Sequence, residues 1–194
     1  MARGSKYYIL HKPKGYLSQF SKEHGKMALS DLVDLQGDVY PVGRLDEYSE
    51  GLLLLTNDKS VNYHLLHPSN KHVRCYLVQV EGQVTKKAIK ELEAGVTIAA
   101  KGEIYNTLPA KVKKTKKPGN IIDADVSAKV TTWLKIELQE GRYRQVRKMT
   151  AKVGFPTLRL VRTHVENLEL GNIKSGELLQ VNKEFFYSKL NLPL

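Results

Sequence analysis

An arginine and an aspartate lie two residues apart in the segment 43–58, which reads GRLDEYSEGLLLLTND. Glycines flank Arg44 and Asp46, and the four leucines that follow are typical of a buried strand, although their pattern does not exclude a helix. A loop fixed beside such an element often carries catalytic groups. Asp46 could equally be a turn residue that accepts a backbone N–H. The spacing alone favours this second interpretation.

A second segment, 141–153, reads GRYRQVRKMTAKV and concentrates positive charge on a predicted helix. A helical wheel places four residues on the buried face: Val146, Met149, Thr150 and Val153. Arg144, Lys148 and Lys152 point away from that face, as phosphate-binding side chains would. Arg147 falls at the border, where a half-buried arginine could pair with a carboxylate. The alternative is a solvated basic helix face, and it applies most readily to Lys148 and Lys152.

The chain carries a large excess of positive charge. Its 194 residues include 31 Lys and Arg against 20 Asp and Glu, so the formal net charge is +11. Such an excess attracts polyanions, and nucleic acids are the commonest soluble ones. Charge alone favours neither a nucleic-acid-binding protein nor one that is merely basic. Residues 111–117 hold five lysines, in a flexible basic loop or an edge strand, and we expect them to contact phosphates.

Several other classes of site are disfavoured. Cys75 is the single cysteine, so an internal disulfide and a Cys-rich zinc site are excluded. His64 and His67 have one-turn spacing, but a helix-surface pair is a better interpretation than a metal site. The chain has no Walker-type loop and no G-x-G-x-x-G motif. The N-terminal residues do not form a signal peptide, and no apolar stretch reaches the length of a membrane span, so we expect a soluble cytoplasmic protein.

Strand and helix patterns alternate irregularly along the chain. The predicted strands are 7–10, 52–55, 74–80, 133–138, 158–162 and 176–182. Predicted helices lie at 29–33, after a cap at Asn57 or Asp58 with Val61, Leu65 and Leu66 on the apolar face, between Thr85 and Gly95, and from 141 to about Val153. This mixture predicts an α+β fold with a mixed, largely antiparallel central sheet and flanking helices. We expect one domain over residues 1–194, or two small lobes that share one sheet.

Both chemical segments resemble the motifs of one enzyme family. The segment 43–58 and the segment 133–149 (WLKIELQEGRYRQVRKM) are similar to the two hallmark motifs of the RsuA family of RNA pseudouridine synthases, which act on ribosomal RNA. The segments 9–15 and 76–82 also fit, so the resemblance covers nearly the whole chain in order. The length of the chain and its segment 153–160 look most like the large-subunit synthase E branch. An N-terminal S4 domain, which many members carry, is expected to be absent.

The resemblance implies a reaction and a set of roles. The family breaks the N1–C1′ bond of a uridine, turns the base and joins C5 to C1′, which requires no cofactor and no metal. Asp46 would be the essential carboxylate, acting covalently or through a glycal-type intermediate. Arg147 would pair with it, Tyr76 would stack on the flipped base or move a proton, and Arg44 would fill the gap left in the RNA. The family often has Lys where this chain has Arg74, which keeps the charge.

The resemblance also implies the partners. Ribosomal RNA is the expected substrate, with the large subunit favoured, either naked or within a pre-ribosomal particle. The enzyme is expected to be a monomer without membrane contact. The basic residues near the two motifs are expected to bind the RNA. They are Lys12, Lys14, Arg142, Arg144 and Lys148.

Two other classes of protein remain as alternatives. One is a non-catalytic RNA-binding or ribosome-assembly protein on the same scaffold. It is disfavoured because Arg44, Asp46, Tyr76 and Arg147 are all present. The other is a different glycosyl-transfer enzyme acting on RNA bases, which would release or exchange a base rather than isomerise it.

Overall fold

The fold is α+β, and it is seen in a computed structural model that describes residues 4–35, 37–100, 102–117, 119 and 130–193. The chain divides into two compact units. The first comprises the residues before Val73 and after Val161, and the second comprises Val73–Val161. In the described part of the chain, no helix is long and apolar enough to cross a membrane.

The elements follow one another in this order: β1 (Tyr7–Lys12), β2 (Tyr40–Pro41), β3 (Glu50–Thr56), α1 (Lys59–Leu66), β4 (Arg74–Glu81), α2 (Lys86–Ala94), β5 (Thr97–Ala100), β6 (Glu103–Asn106), β7 (Lys111–Thr115), β8 (Thr131–Leu138), α3 (Gln145–Lys152), β9 (Thr157–Val165), β10 (Leu168–Glu169), β11 (Leu178–Val181) and α4 (Lys183–Lys189). Short 3-10 turns lie at Leu29–Asp31 and Pro68–Asn70. The first of these turns stands where a helix was predicted. Strand β9 contributes its first five residues to the second unit and its last four to the first.

The first unit is organised around β1 and β3. Strand β1 pairs antiparallel with β3 on one side and with β11 on the other. All seven residues of β3 are buried, so the four leucines form the buried strand that their sequence predicts. One side of this sheet packs a cluster of apolar residues. They are Tyr8, Leu10, Leu29, Val39, Leu45, Leu53 and Leu55.

A carboxylate joins three elements of the first unit. Asp58 caps α1 by accepting the Ser60 N–H at 3.0 Å. The sequence predicted a cap at Asn57 or Asp58, and Asp58 is the one that forms it. Its other oxygen accepts the hydroxyls of Tyr7 in β1, at 2.7 Å, and Tyr187 in α4, at 2.5 Å. These hydrogen bonds, with that of Ser60, lower the pKa of the Asp58 carboxyl to about 2 against the opposing effect of burial.

The second unit packs two helices against an antiparallel sheet. Strand β8 pairs with β4 on one side and with β7 on the other. Three alternate residues of β4, Tyr76, Val78 and Val80, lie in the core. They pack there with side chains of β8, α2 and α3. These partners include Leu134, Ile136, Leu138, Ala88, Leu92, Val146 and Met149.

The structure differs from the predicted elements in several places and decides one alternative that the sequence left open. The hairpin of β5 and β6 and the helix α4 were not predicted. Residues 111–115 of the lysine-rich segment form strand β7, which in the described structure pairs only with β8 and is therefore the edge strand that the sequence left as one of two alternatives. Leu66, predicted on the buried face of α1, is 45% exposed. The helix is only eight residues long, and Val61 and Leu65 complete its buried face.

Candidate active site

The loop of residues 42–49, between β2 and β3, is fixed to the first unit at two points. The Val42 N–H donates to the Leu54 oxygen at 2.8 Å, which continues the strand pairing into the loop. The Ser18 hydroxyl donates to the Leu45 oxygen at 2.8 Å and accepts the Leu45 N–H at 3.1 Å. Leu45 itself is buried. Sequence reasoning did not find Ser18, because a serine distant in sequence gives no local sign that it clamps a loop.

Asp46 stands at the turn of this loop with its carboxylate held in one orientation. One oxygen accepts the Tyr48 N–H at 3.0 Å, and the other accepts the Ser49 hydroxyl at 2.7 Å. The Ser49 N–H also donates to the Asp46 main-chain oxygen at 3.0 Å. The side chain therefore makes the turn contact that the simpler interpretation predicts. It remains partly exposed, so an oriented carboxylate faces the surface of the first unit.

Arg44 and Lys14 lie at the surface of the first unit. Both side chains are exposed. The Arg44 guanidinium donates to the Gln19 side-chain oxygen at 2.6 Å, which orients it next to the Asp46 loop. Lys14 lies in the turn that follows β1. Exposure and charge suit both for the RNA contacts expected of them, which stay predictions.

Lys12 does not fit the RNA contact that was expected of it. Its side chain has no exposed surface. Its ammonium donates to the main-chain oxygens of Pro13 at 2.8 Å and Tyr16 at 2.7 Å, with Glu47 at 3.5 Å. A lysine enclosed in this way cannot reach a phosphate. It ties the turn after β1 to the loop that carries Asp46.

The surroundings of Lys12 shift its titration. Burial lowers the pKa of its ammonium from the ordinary value of 10.5 to about 8. The negative charges of Asp46, Glu50 and Glu47 act in the opposite direction, and burial prevails.

Replacing Lys12 with Met is expected to lower the free energy of unfolding by about 2–4 kcal/mol at pH 7, because buried carbonyl oxygens lose their donor. The loss should grow as the pH rises from about 8 to about 10.5. Over that range the folded protein has released the Lys12 proton while the unfolded chain keeps it, so the wild type becomes more stable relative to the variant. Urea unfolding of both proteins across this range measures the effect. A difference in unfolding free energy that does not change with pH would contradict the lowered pKa of Lys12.

Tyr76 and Arg147 belong to the second unit. Tyr76 lies in β4 with its ring in the core and 8% of its surface exposed. Arg147 lies in α3 and is half-buried, at the border of the apolar face where the helical wheel puts it. The catalytic roles expected of both residues stay predictions.

The basic residues at the start of α3 are held by specific contacts within the second unit. The Arg142 guanidinium lies 4.3 Å from the centre of the Tyr105 ring and is exposed. Arg144 takes a left-handed conformation, with φ of 52°, at the N-cap of α3. The Lys148 ammonium donates to the Ala99 oxygen at 2.6 Å. This contact anchors α3 to β5, and a phosphate would have to share the Lys148 ammonium with that carbonyl.

Glu140 joins the β6 region to α3, and sequence reasoning did not single it out. Its carboxylate accepts the Tyr105 hydroxyl, the Leu108 N–H and the Gln145 amide. The partners of Glu140 lie on both sides of it in sequence, so no local pattern reveals the contact.

His64 and His67 do not assemble a metal site in the residues that the structure describes. No group of three or more His, Cys, Asp or Glu side chains there is placed to hold a metal ion. Both imidazoles instead lie against the ring of Tyr63, with ring centres 5.4 Å and 5.7 Å apart.

Comparison with known proteins identifies the family that this fold and these motifs define. Residues 6–152 match the family described as RNA pseudouridylate synthase. The chain therefore belongs to this family and is an RNA-modifying isomerase, as the sequence resemblance implied.

Individual relatives agree with this assignment. The chain is 40% identical over 181 residues to the ribosomal large subunit pseudouridine synthase E of Vibrio parahaemolyticus, covering 91% of this chain and 74% of the relative. It is 41% identical over 181 residues to the enzyme of the same name from Vibrio vulnificus, covering 91% and 75%. A crystal structure of a pseudouridylate synthase superposes with a TM-score of 0.78 at 25% identity, covering 96% of this chain and 74% of that one.

Proposed function

We propose that this enzyme isomerises one uridine of large-subunit ribosomal RNA to pseudouridine, with Asp46 as the essential carboxylate. The observation that carries the proposal is the fixed, partly exposed Asp46 side chain, oriented by Tyr48 and Ser49 in a loop clamped by Ser18. The choice of large-subunit RNA rests on the names of the relatives, of which several are large-subunit synthases E.

The reaction is balanced without an outside reactant. The N1–C1′ bond breaks, the base turns, C5 bonds to C1′, the C5 proton leaves to solvent and N1 gains a proton. An ionised Asp46 would supply the negative charge, by bonding to the substrate or by acting through a glycal-type intermediate. We assign Arg147 to pairing with the carboxylate, Tyr76 to stacking on the flipped base, and Arg44 to the gap left in the RNA. Asp46 comes from the first unit, and Tyr76 and Arg147 come from the second.

The remaining assignments follow from the same proposal. We propose that the enzyme works as a monomer in the cytoplasm and that Lys14, Arg142, Arg144 and Lys148 bind the RNA backbone. A partly assembled ribosomal particle is an alternative substrate to naked RNA.

Tritium release tests the proposal directly. Large-subunit ribosomal RNA is transcribed with 5-tritiated uridine and incubated with the enzyme, and the tritium released to water is counted. Stoichiometric release is expected, because C5 exchanges its hydrogen for C1′. Small-subunit RNA and transfer RNA serve as matched substrates, and assembly intermediates are assayed in parallel. Release from transfer RNA alone would refute the choice of substrate, and silence on every RNA despite tight binding would favour the non-catalytic alternative.

The exposed lysines of β7 give a separate prediction. Lys111, Lys113 and Lys114 are all exposed, and each phosphate that they neutralise releases counterions from the RNA. Changing all three to Gln is expected to reduce the slope of log binding constant against log salt by about 2 to 3. Filter binding at several salt concentrations measures the slope. The matched control changes Lys86, Lys87 and Lys90, exposed on α2, and should leave the slope nearly as it is. Equal slopes for the two triple variants would show that β7 does not contact RNA.

A further inference from the structure

An aromatic residue stands out from the last turn of α1. Tyr63 is 66% exposed, and no Phe, Tyr or Trp in the described part of the chain is more exposed. Leu66, three residues on, is 45% exposed. Exposing two large apolar side chains to water on one turn is unfavourable. Such an exposed apolar patch is typical of a surface that a ligand covers. Neither residue belongs to the roles proposed above.

The ring of Tyr63 is supported by its neighbours. Its centre lies 5.7 Å from that of His67, with 42° between the planes, and 5.4 Å from that of His64, edge-on at 80°. His67 is fixed in turn, because its Nδ1 lies 2.7 Å from the Ser69 hydroxyl. The amide of Asn70 donates to the His64 oxygen at 2.7 Å, which closes the turn. The exposed ring is therefore preorganised, and binding a flat ligand would cost it little entropy.

This aromatic turn adjoins the loop that carries Asp46. A Cβ added at Gly43 would lie 3.1 Å from Leu66 Cδ2, so the Leu66 side chain packs directly against Gly43. Arg44 follows in sequence, with its exposed guanidinium. After this turn the chain continues through residues 67–73 into β4, in which Tyr76 is the third residue.

The chain segment that carries the aromatic turn has no acidic residue of its own. Residues 59–80 contain no Asp or Glu, although the chain has 20 of them. Lys59 and Lys71 are exposed at the two ends of the turn region. An RNA strand that reaches Arg44 therefore meets aromatic and basic side chains without a repelling carboxylate on this segment. A protein partner could also cover apolar side chains, but the missing acids and the neighbouring Arg44 favour RNA.

We propose that the Tyr63 ring, backed by His67, stacks on an unpaired base of the substrate RNA close to the flipped uridine. The inference rests on the proposed function, since it extends the RNA path beyond Arg44. Stacking of bases on aromatic side chains tolerates any base, because every base has a π face. The subsite would thus add affinity and hold the strand in place, and target choice would come from elsewhere.

Replacing Tyr63 with Ala is expected to raise KM for the tritiated RNA about five- to thirty-fold while kcat stays unchanged. Tyr63→Phe keeps the ring and should stay within about twofold of wild type. The salt slope of binding should also stay unchanged, because stacking releases no counterions. Phe185→Ala is the matched control, since Phe185 is a 42% exposed aromatic on α4. Equal KM values for Tyr63→Ala and Phe185→Ala would overturn the subsite.

Photocross-linking separates this inference from the proposed function. RNA containing 5-iodouridine is bound to the enzyme and irradiated, and the attached peptide is identified by mass spectrometry. A cross-link at Tyr63 supports the subsite, even if no tritium is released and the proposed function fails. Tritium release from unsubstituted RNA with cross-links only outside residues 59–71 would overturn the subsite while the proposed function stands.

Discussion

Asp46→Asn is expected to lower turnover about 10³-fold or more while RNA binding and folding are retained. Asn has the same shape as Asp and keeps an oxygen that can accept the Tyr48 N–H, so the loop should hold its conformation. It carries no negative charge, and a neutral amide neither bonds to the sugar nor supports a glycal-type intermediate as a carboxylate does. The chemical step should fail while the steps before it remain.

Single-turnover tritium release measures this effect, with RNA affinity determined separately for each protein. Asp34→Asn is the matched control, because it removes one exposed carboxylate elsewhere in the first unit and should leave turnover unchanged. Turnover of Asp46→Asn within tenfold of wild type would show that Asp46 is only a turn residue.

Gly51→Ala is expected to destabilise the first unit by about 4 kcal/mol or more, a large share of the ~5–15 kcal/mol by which proteins are ordinarily stable. A Cβ on Gly51 would lie 2.2 Å from the main-chain oxygen of Arg162, and backbone cannot move aside as a flexible side chain can. Gly51 also has a φ of +101°, which side-chain-bearing residues rarely adopt. Both costs fall at the start of β3, next to the loop that holds Asp46.

Gly15→Ala separates the two costs. Gly15 has a similar φ of +91°, but a Cβ there would meet nothing within 4 Å. It should therefore lose only the conformational cost, about 1–2 kcal/mol. Thermal and urea unfolding of both variants compares them. Similar losses of stability would mean that β9 gives way and that the close approach at Gly51 has no consequence.

Where a side chain's environment follows from its own element, sequence was sufficient. The alternation in β4 groups Tyr76, Val78 and Val80 on one face, because successive strand residues point to opposite sides, and these three residues do pack together in the core. The helical wheel placed Arg147 at the border of α3, where the structure has it half-buried. Both placements depend only on the period of one element.

Where the environment is made by distant backbone, sequence was insufficient. The Lys12 ammonium is enclosed by the nearby carbonyl oxygens of Pro13 and Tyr16 together with that of Glu47, which lies 35 residues away and is brought there by the fold. A lysine beside a proline and a glycine otherwise predicts an exposed turn. The β5–β6 hairpin was not predicted from the sequence for a different reason. Its strands have only four residues each, too few for an alternation to be recognised.

The division of the chain into an interrupted unit and a continuous one sets an order for folding during synthesis. The ribosome completes every residue of Val73–Val161 before it makes β11 and α4. The second unit can therefore fold from a growing chain, as whole domains do. In the first unit, β1 must wait for Leu178–Val181, and Asp58 must wait for the Tyr187 hydroxyl. Until Leu178–Val181 emerge, one edge of β1 stays open in the nascent chain, and an open strand edge is a site where other chains can pair.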